Sequence, residues 1–234
     1  MTIIKICGIT NLEDALIAAE AGADMLGFIF YPPSARYVAP ETAKKIVSGL
    51  RSQVQIPKSK VSSQAEAASD LELETWDLKP KLVGVFVNSP AEEIREIMDF
   101  CGLDFAQLHG DESPEMVASF GGRAFKAINP QSLPEAEQYS SLVIRHSPFV
   151  LIDAFHPTER GGTGITTDWG MAAQLARRYP ILLAGGLTPE NVAAAIRTVR
   201  PLGVDVSSGV EASKGKKDPA KVRAFVEQAR MAVI

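Results

Sequence analysis

The sequence predicts an α/β fold: a closed (β/α)8 barrel in a single domain spanning residues 1–234. Three observations carry this prediction. Short β-rich apolar runs alternate with longer helix-like stretches, eight such alternations fit within 234 residues, and no returning hairpin signal interrupts them. The alternative is an open doubly wound sheet, which usually has fewer strands and a nucleotide fingerprint.

The expected strands, in order, are Ile3–Cys7, Met25–Phe30, Leu82–Val87, Phe105–Leu108, Ala124–Ile128, Phe149–Asp153, Ile181–Ala184 and Val204–Ser207. Between them lie Ala-, Glu- and Lys-containing segments with helical spacing. In the first of these, Leu12, Leu16 and Ala19 share a face. A later helix is expected to open at Thr188-Pro189-Glu190, with Thr188 as N-cap and Pro189 at the first helical position. Residues 54–79 break the rhythm, being rich in Ser, Gln, Glu, Ala and Lys with Pro57 near the start. They read as a solvent-exposed insertion, with a short helix around 65–68, hanging from the face opposite a barrel's active site.

Composition narrows the function classes. Hydrophobic residues make up 46% of the chain, enough for a sizeable core, and charged residues 22%. Lys plus Arg number 24 against 28 Asp plus Glu, so the basic excess of a nucleic-acid surface is missing and no such partner is expected. Cys7 and Cys101 are the only cysteines, which fits a reducing compartment better than a disulfide framework. No apolar run approaches the roughly 18 residues of a membrane span, and the N-terminus lacks a signal-peptide pattern. A soluble cytoplasmic protein, monomer or homodimer, is the expectation.

Side chains alternate along a strand. If Cys7 faces inward at the end of the first strand, Lys5 and Ile3 do too, while Ile4 and Ile6 face the helices. Asp153 brings Leu151 and Phe149 inward, and Asp205 shares a face with Ser207. Closure makes the first and last strands neighbours, so Lys5 and Asp205 are expected to form a buried ion pair, each charge needing its opposite.

Glycines punctuate the ends of the late strands: Gly161-Gly162-Thr163-Gly164, Gly185-Gly186 and Ser207-Ser208-Gly209. Glycine lets backbone N–H groups approach an anion, and barrels often hold phosphate after their seventh and eighth strands. Each cluster alone reads equally as a tight turn. A P-loop fails, because five residues separate Gly209 from Gly215 where that motif has four, and Lys217 takes the Ser/Thr place. No G-x-G-x-x-G follows any strand.

Cys7 and Asp153 both stand at C-terminal strand ends, where barrel catalytic groups sit. A thiol abstracts protons only as thiolate, and Lys5 nearby is expected to raise that fraction. By residue type alone Cys7 reads as a small buried hydrophobe. Cys101, at a helix end, carries no functional signal. The histidines, His109, His146 and His156, have no metal-ligand spacing, and neither metal nor cofactor is expected. His109, after the fourth strand, reads as a hydrogen-bonding wall of a cavity, and His146 as surface. Arg36, in a loop stiffened by Pro32 and Pro33, suits either a bidentate grip on carboxylate or simple solvation.

At this point several motifs together resemble the phosphoribosylanthranilate isomerase family. They are Lys5-Ile6-Cys7-Gly8-Ile9-Thr10, Ser34-Ala35-Arg36-Tyr37-Val38, Gln107-Leu108-His109-Gly110-Asp111-Glu112, Ala184-Gly185-Gly186-Leu187 and Val204-Asp205-Val206-Ser207-Ser208-Gly209-Val210-Glu211. The resemblance runs from the first strand to the last helix and skips residues 54–79. It implies a cofactor-free and metal-free Amadori rearrangement in tryptophan biosynthesis. The substrate would be N-(5-phosphoribosyl)anthranilate, a phosphorylated sugar, and the product 1-(2-carboxyphenylamino)-1-deoxyribulose 5-phosphate. It further implies Cys7 as general base, Asp153 as general acid and Arg36 as holder of the anthranilate carboxylate. The glycine clusters with Ser207 and Ser208 would take the phosphate. The competing readings are another phosphate-binding barrel, such as indole-glycerol-phosphate synthase or a pentose-phosphate epimerase, and a non-catalytic phosphate-binding barrel. The first two want catalytic lysines and glutamates or metal-binding histidines that are not visible.

Overall fold

The computed structural model describes residues 2–53, 80–153 and 168–232. Eight parallel strands close into a barrel in sequence order: β1 (Ile3–Cys7), β2 (Met25–Ile29), β3 (Lys81–Phe86), β4 (Phe105–Leu108), β5 (Ala124–Ile128), β6 (Val150–Ile152), β7 (Ile181–Leu183) and β8 (Gly203–Val206). The ring is sealed by β1 against β8, with Lys5 opposite Asp205. Phe30, Val87, Phe149, Asp153, Ala184 and Ser207, expected within strands, lie just outside them. At these rims the chain turns into loops, although Phe30 N, Asp153 N and Ala184 N still donate to the neighbouring strands at Val85 O, Ile128 O and Ile152 O.

Alternation sorts side chains into two layers. Inside the ring pack Met25, Val83, Phe125, Ala127, Phe149, Leu151, Leu182 and Ala184, with Ile3 and Phe105 against them. Outside, Ile4, Ile6, Leu26, Phe28, Val150, Ile152, Val204 and Val206 meet the helices. Because both faces are buried, a slip of one residue would put Lys5 and Asp205 into the apolar layer, which pins the register.

The helices that follow β1–β8 among the described residues are α1 (Leu12–Glu20), α2 (Pro40–Gln53), α3 (Ala91–Cys101), α4 (Pro114–Ala118), α5 (Leu133–Val143), α6 (Trp169–Ala176), α7 (Val192–Val199) and α8 (Pro219–Met231). Several begin at side-chain caps: Asn11 accepts from Asp14 N, Ser113 from Met116 N, Ser132 from Glu135 N, and Asp218 from Ala220 N and Lys221 N. In α1 the fully buried stripe is Ala15 and Ala18 with Asp14, while Leu12, Leu16 and Ala19 flank it half-buried. The small residues face the barrel because the helix lies close upon it.

The helix expected from Thr188 starts instead at Val192. Asn191 explains the delay. Its carboxamide accepts from Thr188 N at 2.8 Å and donates to Gly186 O at 2.9 Å, bracing a turn that carries the chain around the rim first. After β8 comes a 3-10 turn, Ser208–Val210, then a short antiparallel hairpin of β9 (Glu211–Ser213) and β10 (Lys216–Lys217). The expected insertion at 54–79, including its short helix, lies outside the described residues. No helix among the described residues is long and apolar enough to cross a membrane.

Candidate active site

Strand β1 delivers Cys7 to the C-terminal rim of the barrel. Its neighbour Gly27 leaves room for the thiol, since a Cβ there would lie 2.8 Å from Cys7 Sγ. Directly below on the same inward face, the Lys5 ammonium donates to Asp205 Oδ1 at 2.8 Å, with Lys5 fully buried. Burial pushes the Cys7 thiol up from its ordinary range; Lys5 pulls it down, and Asp205 pushes it up again. The net shift is upward. Lys5 favours the thiolate, as expected from its charge, but desolvation prevails over it and Asp205 works against it, so the thiol stays above its ordinary range. Lys5 itself titrates above the usual lysine range, because Asp205 and Cys7 outweigh its burial.

Arg36 is drawn in from its loop. Its guanidinium grips Glu211 through two prongs, Nε to Oε1 at 2.7 Å and Nη2 to Oε2 at 2.8 Å, and it is buried. It is not a solvated loop arginine. Lys217 Nζ, also buried, donates to the same Oε1 at 3.1 Å and to the carbonyl of Ser207 at 3.1 Å.

His109 follows β4. Its Nδ1 lies 3.1 Å from Gln107 Nε2, and its Nε2 is 3.5 Å from Asp153 Oδ2. Beneath it, Glu112 accepts from the backbone N–H groups of Asn88 and Gly110, each at 2.8 Å. The buried Lys126 ammonium donates to the carbonyls of Leu108, Gly110 and Ala127 and pairs with Glu112 at 3.1 Å. This network, on a strand expected to be plainly apolar, holds the His109 loop against the barrel.

Two adjoining cavities open at this rim. One is lined by Cys7, Arg36, Gln107, His109, Asp153, Asp205 and Ser207, among others. The second is walled by Gly185, Gly186, Ser208 and Gly209 and shares Asp153, Asp205 and Ser207 with the first. Gly185 and Gly186 adopt φ of 85° and 63°, a left-handed backbone that favours glycine. A Cβ on Gly209 would meet Leu187 O at 1.9 Å, so only glycine allows that turn to close. The Ser207 hydroxyl is buried and has no hydrogen-bond partner among the described residues. Gly162 and Gly164, expected at the phosphate, lie outside the described residues, as do Gly161 and His156. His146 is exposed and away from the cavities. Glu211, Lys217, Gln107 and Lys126 were not singled out as site residues. Glu211 stands within a quoted motif, but nothing local says which arginine it meets.

Residues 49–228 match the model of the N-(5'phosphoribosyl)anthranilate (PRA) isomerase family. The N-(5'-phosphoribosyl)anthranilate isomerase of Pelobacter propionicus is 45% identical over 97% of this chain and 95% of its own length. That of Geobacter metallireducens is 42% identical over 98% of this chain and all of its own. Among solved structures, phosphoribosyl anthranilate isomerase from Thermotoga maritima superposes with a TM-score of 0.79 at 36% identity, covering 98% of this chain and 99% of that one. A structure of the isomerase in complex with reduced 1-(o-carboxyphenylamino)-1-deoxyribulose 5-phosphate gives 0.76 at 36% identity, with the same coverage.

Closed parallel ring, surrounding helices and polar groups collected at the C-terminal rim define a (β/α)8-barrel enzyme. The chain belongs to the N-(5'-phosphoribosyl)anthranilate isomerase family.

Proposed function

We propose that the chain converts N-(5-phosphoribosyl)anthranilate to 1-(2-carboxyphenylamino)-1-deoxyribulose 5-phosphate, with Cys7 as general base and Asp153 as general acid. One observation carries the reading: thiol, carboxyl group and Arg36 line a single cavity, and a glycine-walled cavity adjoins it, sharing Asp153. Asp153 protonates the furanose ring oxygen, the C1′–O bond breaks, and the aryl nitrogen supplies the electron pair that forms the iminium. Cys7 then removes the C2′ proton, and its electron pair flows to the iminium nitrogen, giving an enolamine. Tautomerisation returns a proton to C1′ and leaves the C2′ ketone. No external oxidant or reductant enters the balance.

The raised thiol is compatible with this order. A resting thiol that is mostly protonated waits until ring opening places a cation next to C2′, and a neighbouring positive charge favours thiolate. The phosphate would sit at Gly185, Gly186, Ser207, Ser208 and Gly209, with Arg36 on the anthranilate carboxylate. Two buried free thiols support a reducing, cytoplasmic setting.

Complementation of a tryptophan auxotroph lacking the isomerase tests the activity, with Cys7→Ser as control. In vitro, Cys7→Ser and Asp153→Asn should each lower kcat by about 10²–10⁴-fold while ligand affinity stays close to that of the parent. Normal turnover by Cys7→Ser would remove the assigned base.

A further inference from the structure

Arg36 and Glu211 are 175 residues apart in sequence yet meet through two hydrogen bonds of 2.7 and 2.8 Å. Such a pair alone is electrically neutral and offers little to an incoming carboxylate. Lys217 changes that sum. Glu211 faces two buried cations, Arg36 and Lys217, so the cluster carries one net positive charge. The hairpin that follows β8 is the device that builds it, since its register sets Lys217 opposite Glu211. Further groups tie it down: Gly215 N donates to Glu211 Oε1 at 3.4 Å, Lys221 Nζ to Glu211 O at 3.0 Å, and Lys217 N to the Asp14 carboxylate at 2.9 Å.

The geometry also settles which edge of the guanidinium is spoken for. Glu211 takes Nε and one hydrogen of Nη2, two of the five donors. Nη1 has no acceptor among the described residues, while Arg36 lines the cavity that holds Cys7 and Asp153. Glu211 thus holds the guanidinium through Nε and Nη2, and Nη1 is left for an incoming acceptor.

We propose that Glu211 and Lys217 are positioning residues for carboxylate recognition: Glu211 aims the guanidinium of Arg36, and Lys217 keeps the cluster net positive. The proposal rests on reading Arg36 as the residue that binds the substrate carboxylate. Selectivity for an arylamine bearing an ortho carboxylate then depends on residues that never touch it. Lys217 also bonds the carbonyl of Ser207, which ties the carboxylate side of the site to the phosphate side.

Two probes test this by calorimetry on the full chain: reduced 1-(o-carboxyphenylamino)-1-deoxyribulose 5-phosphate, and the same compound lacking the carboxyl group. Lys217→Met and Glu211→Gln should each weaken the carboxylated probe by about tenfold or more, a typical consequence of losing one charge-assisted contact. The carboxyl-free probe should change by less than about twofold. Turnover should show a raised KM with kcat largely kept, and Lys217→Arg should recover most of the affinity. If both variants weaken the two probes equally, or leave both unchanged, the positioning role is wrong. Tighter binding of the carboxylated probe by Glu211→Gln would equally overturn it, because net charge alone would then govern. Should Lys217→Met fail to fold, Glu211→Gln and Lys217→Arg decide the matter. Arg36→Ala separates the two levels: if that variant still prefers the carboxylated probe as strongly as the parent does, the reading of Arg36 itself is defeated. Discrimination lost in Arg36→Ala but kept in the other two defeats only the present proposal.

Discussion

Replacing Lys5 with methionine removes a cation while keeping the length of the side chain. Lys5 is completely buried and its ammonium sits 2.8 Å from Asp205, whose side chain retains 10% exposure toward the cavity. Removing one partner of a buried ion pair typically costs about 3–5 kcal/mol, because the other charge is left uncompensated. Water at the rim relieves part of that for Asp205, which places the loss near the lower end, at about 3 kcal/mol. At roughly 2–4 °C per kcal/mol for a chain of this size, Tm should fall by about 6–12 °C. Lys5→Met/Asp205→Asn should recover most of the loss, since neither charge is then stranded. Lys5 is held above its ordinary range, so its contribution is present below the unfolded lysine value and lost only as pH rises through the folded one. The difference in Tm should accordingly persist across neutral pH and shrink only in strong alkali. The same variants have a chemical readout. Lys5 pulls the Cys7 thiol down and Asp205 pushes it up, against a dominant upward push from burial. The pH midpoint for alkylation of Cys7, followed on its own peptide by mass spectrometry, should move up in Lys5→Met and down in Asp205→Asn. A Lys5→Met protein that melts within about 2 °C of the parent would refute the stability argument. A lowered alkylation midpoint in that variant would refute the electrostatic one.

Two further outcomes follow from crowding and burial. In Gly209→Ala the new methyl group would meet the Leu187 carbonyl at 1.9 Å, so the turn must shift; competitive inhibition by inorganic phosphate should weaken by up to about 10²-fold, and unchanged inhibition would remove this turn from the phosphate site. Lys126→Met leaves Glu112 without its buried ammonium and frees three backbone carbonyls; hydrogen exchange of the Gly110 and Asp111 amides should quicken, and unchanged protection would show that the loop holds without it.

Strand alternation was legible because both faces of a barrel strand are buried. Along β1 the sequence Ile-Lys-Ile-Cys leaves only one arrangement that keeps two isoleucines in the outer apolar layer, and the same holds for Val204 and Val206 around Asp205. Strand ends and the start of α7 were less legible. Apolar residues run on beyond the strand ends at Phe30 and Val87, and the turn braced by Asn191 depends on a carbonyl five residues back at Gly186. Lys126 illustrates a different limit, since a lysine amid apolar residues gives no sign of which carbonyls will receive its hydrogens.

What the sequence by itself determined was periodicity and residue type: a parallel ring, its inward and outward layers, a thiol and a carboxylic acid at strand ends, and glycines where backbone crowds a rim. These are local properties, written in spacings of a few residues. Only the tertiary structure decided what faces what. Glu211 meets Arg36 across 175 residues, Asp205 meets Lys5 across 200, and the direction in which Cys7 shifts follows from the sum of burial, ammonium and carboxylate. Coulomb interaction and desolvation depend on distance in space, and closing the ring is what makes those distances short.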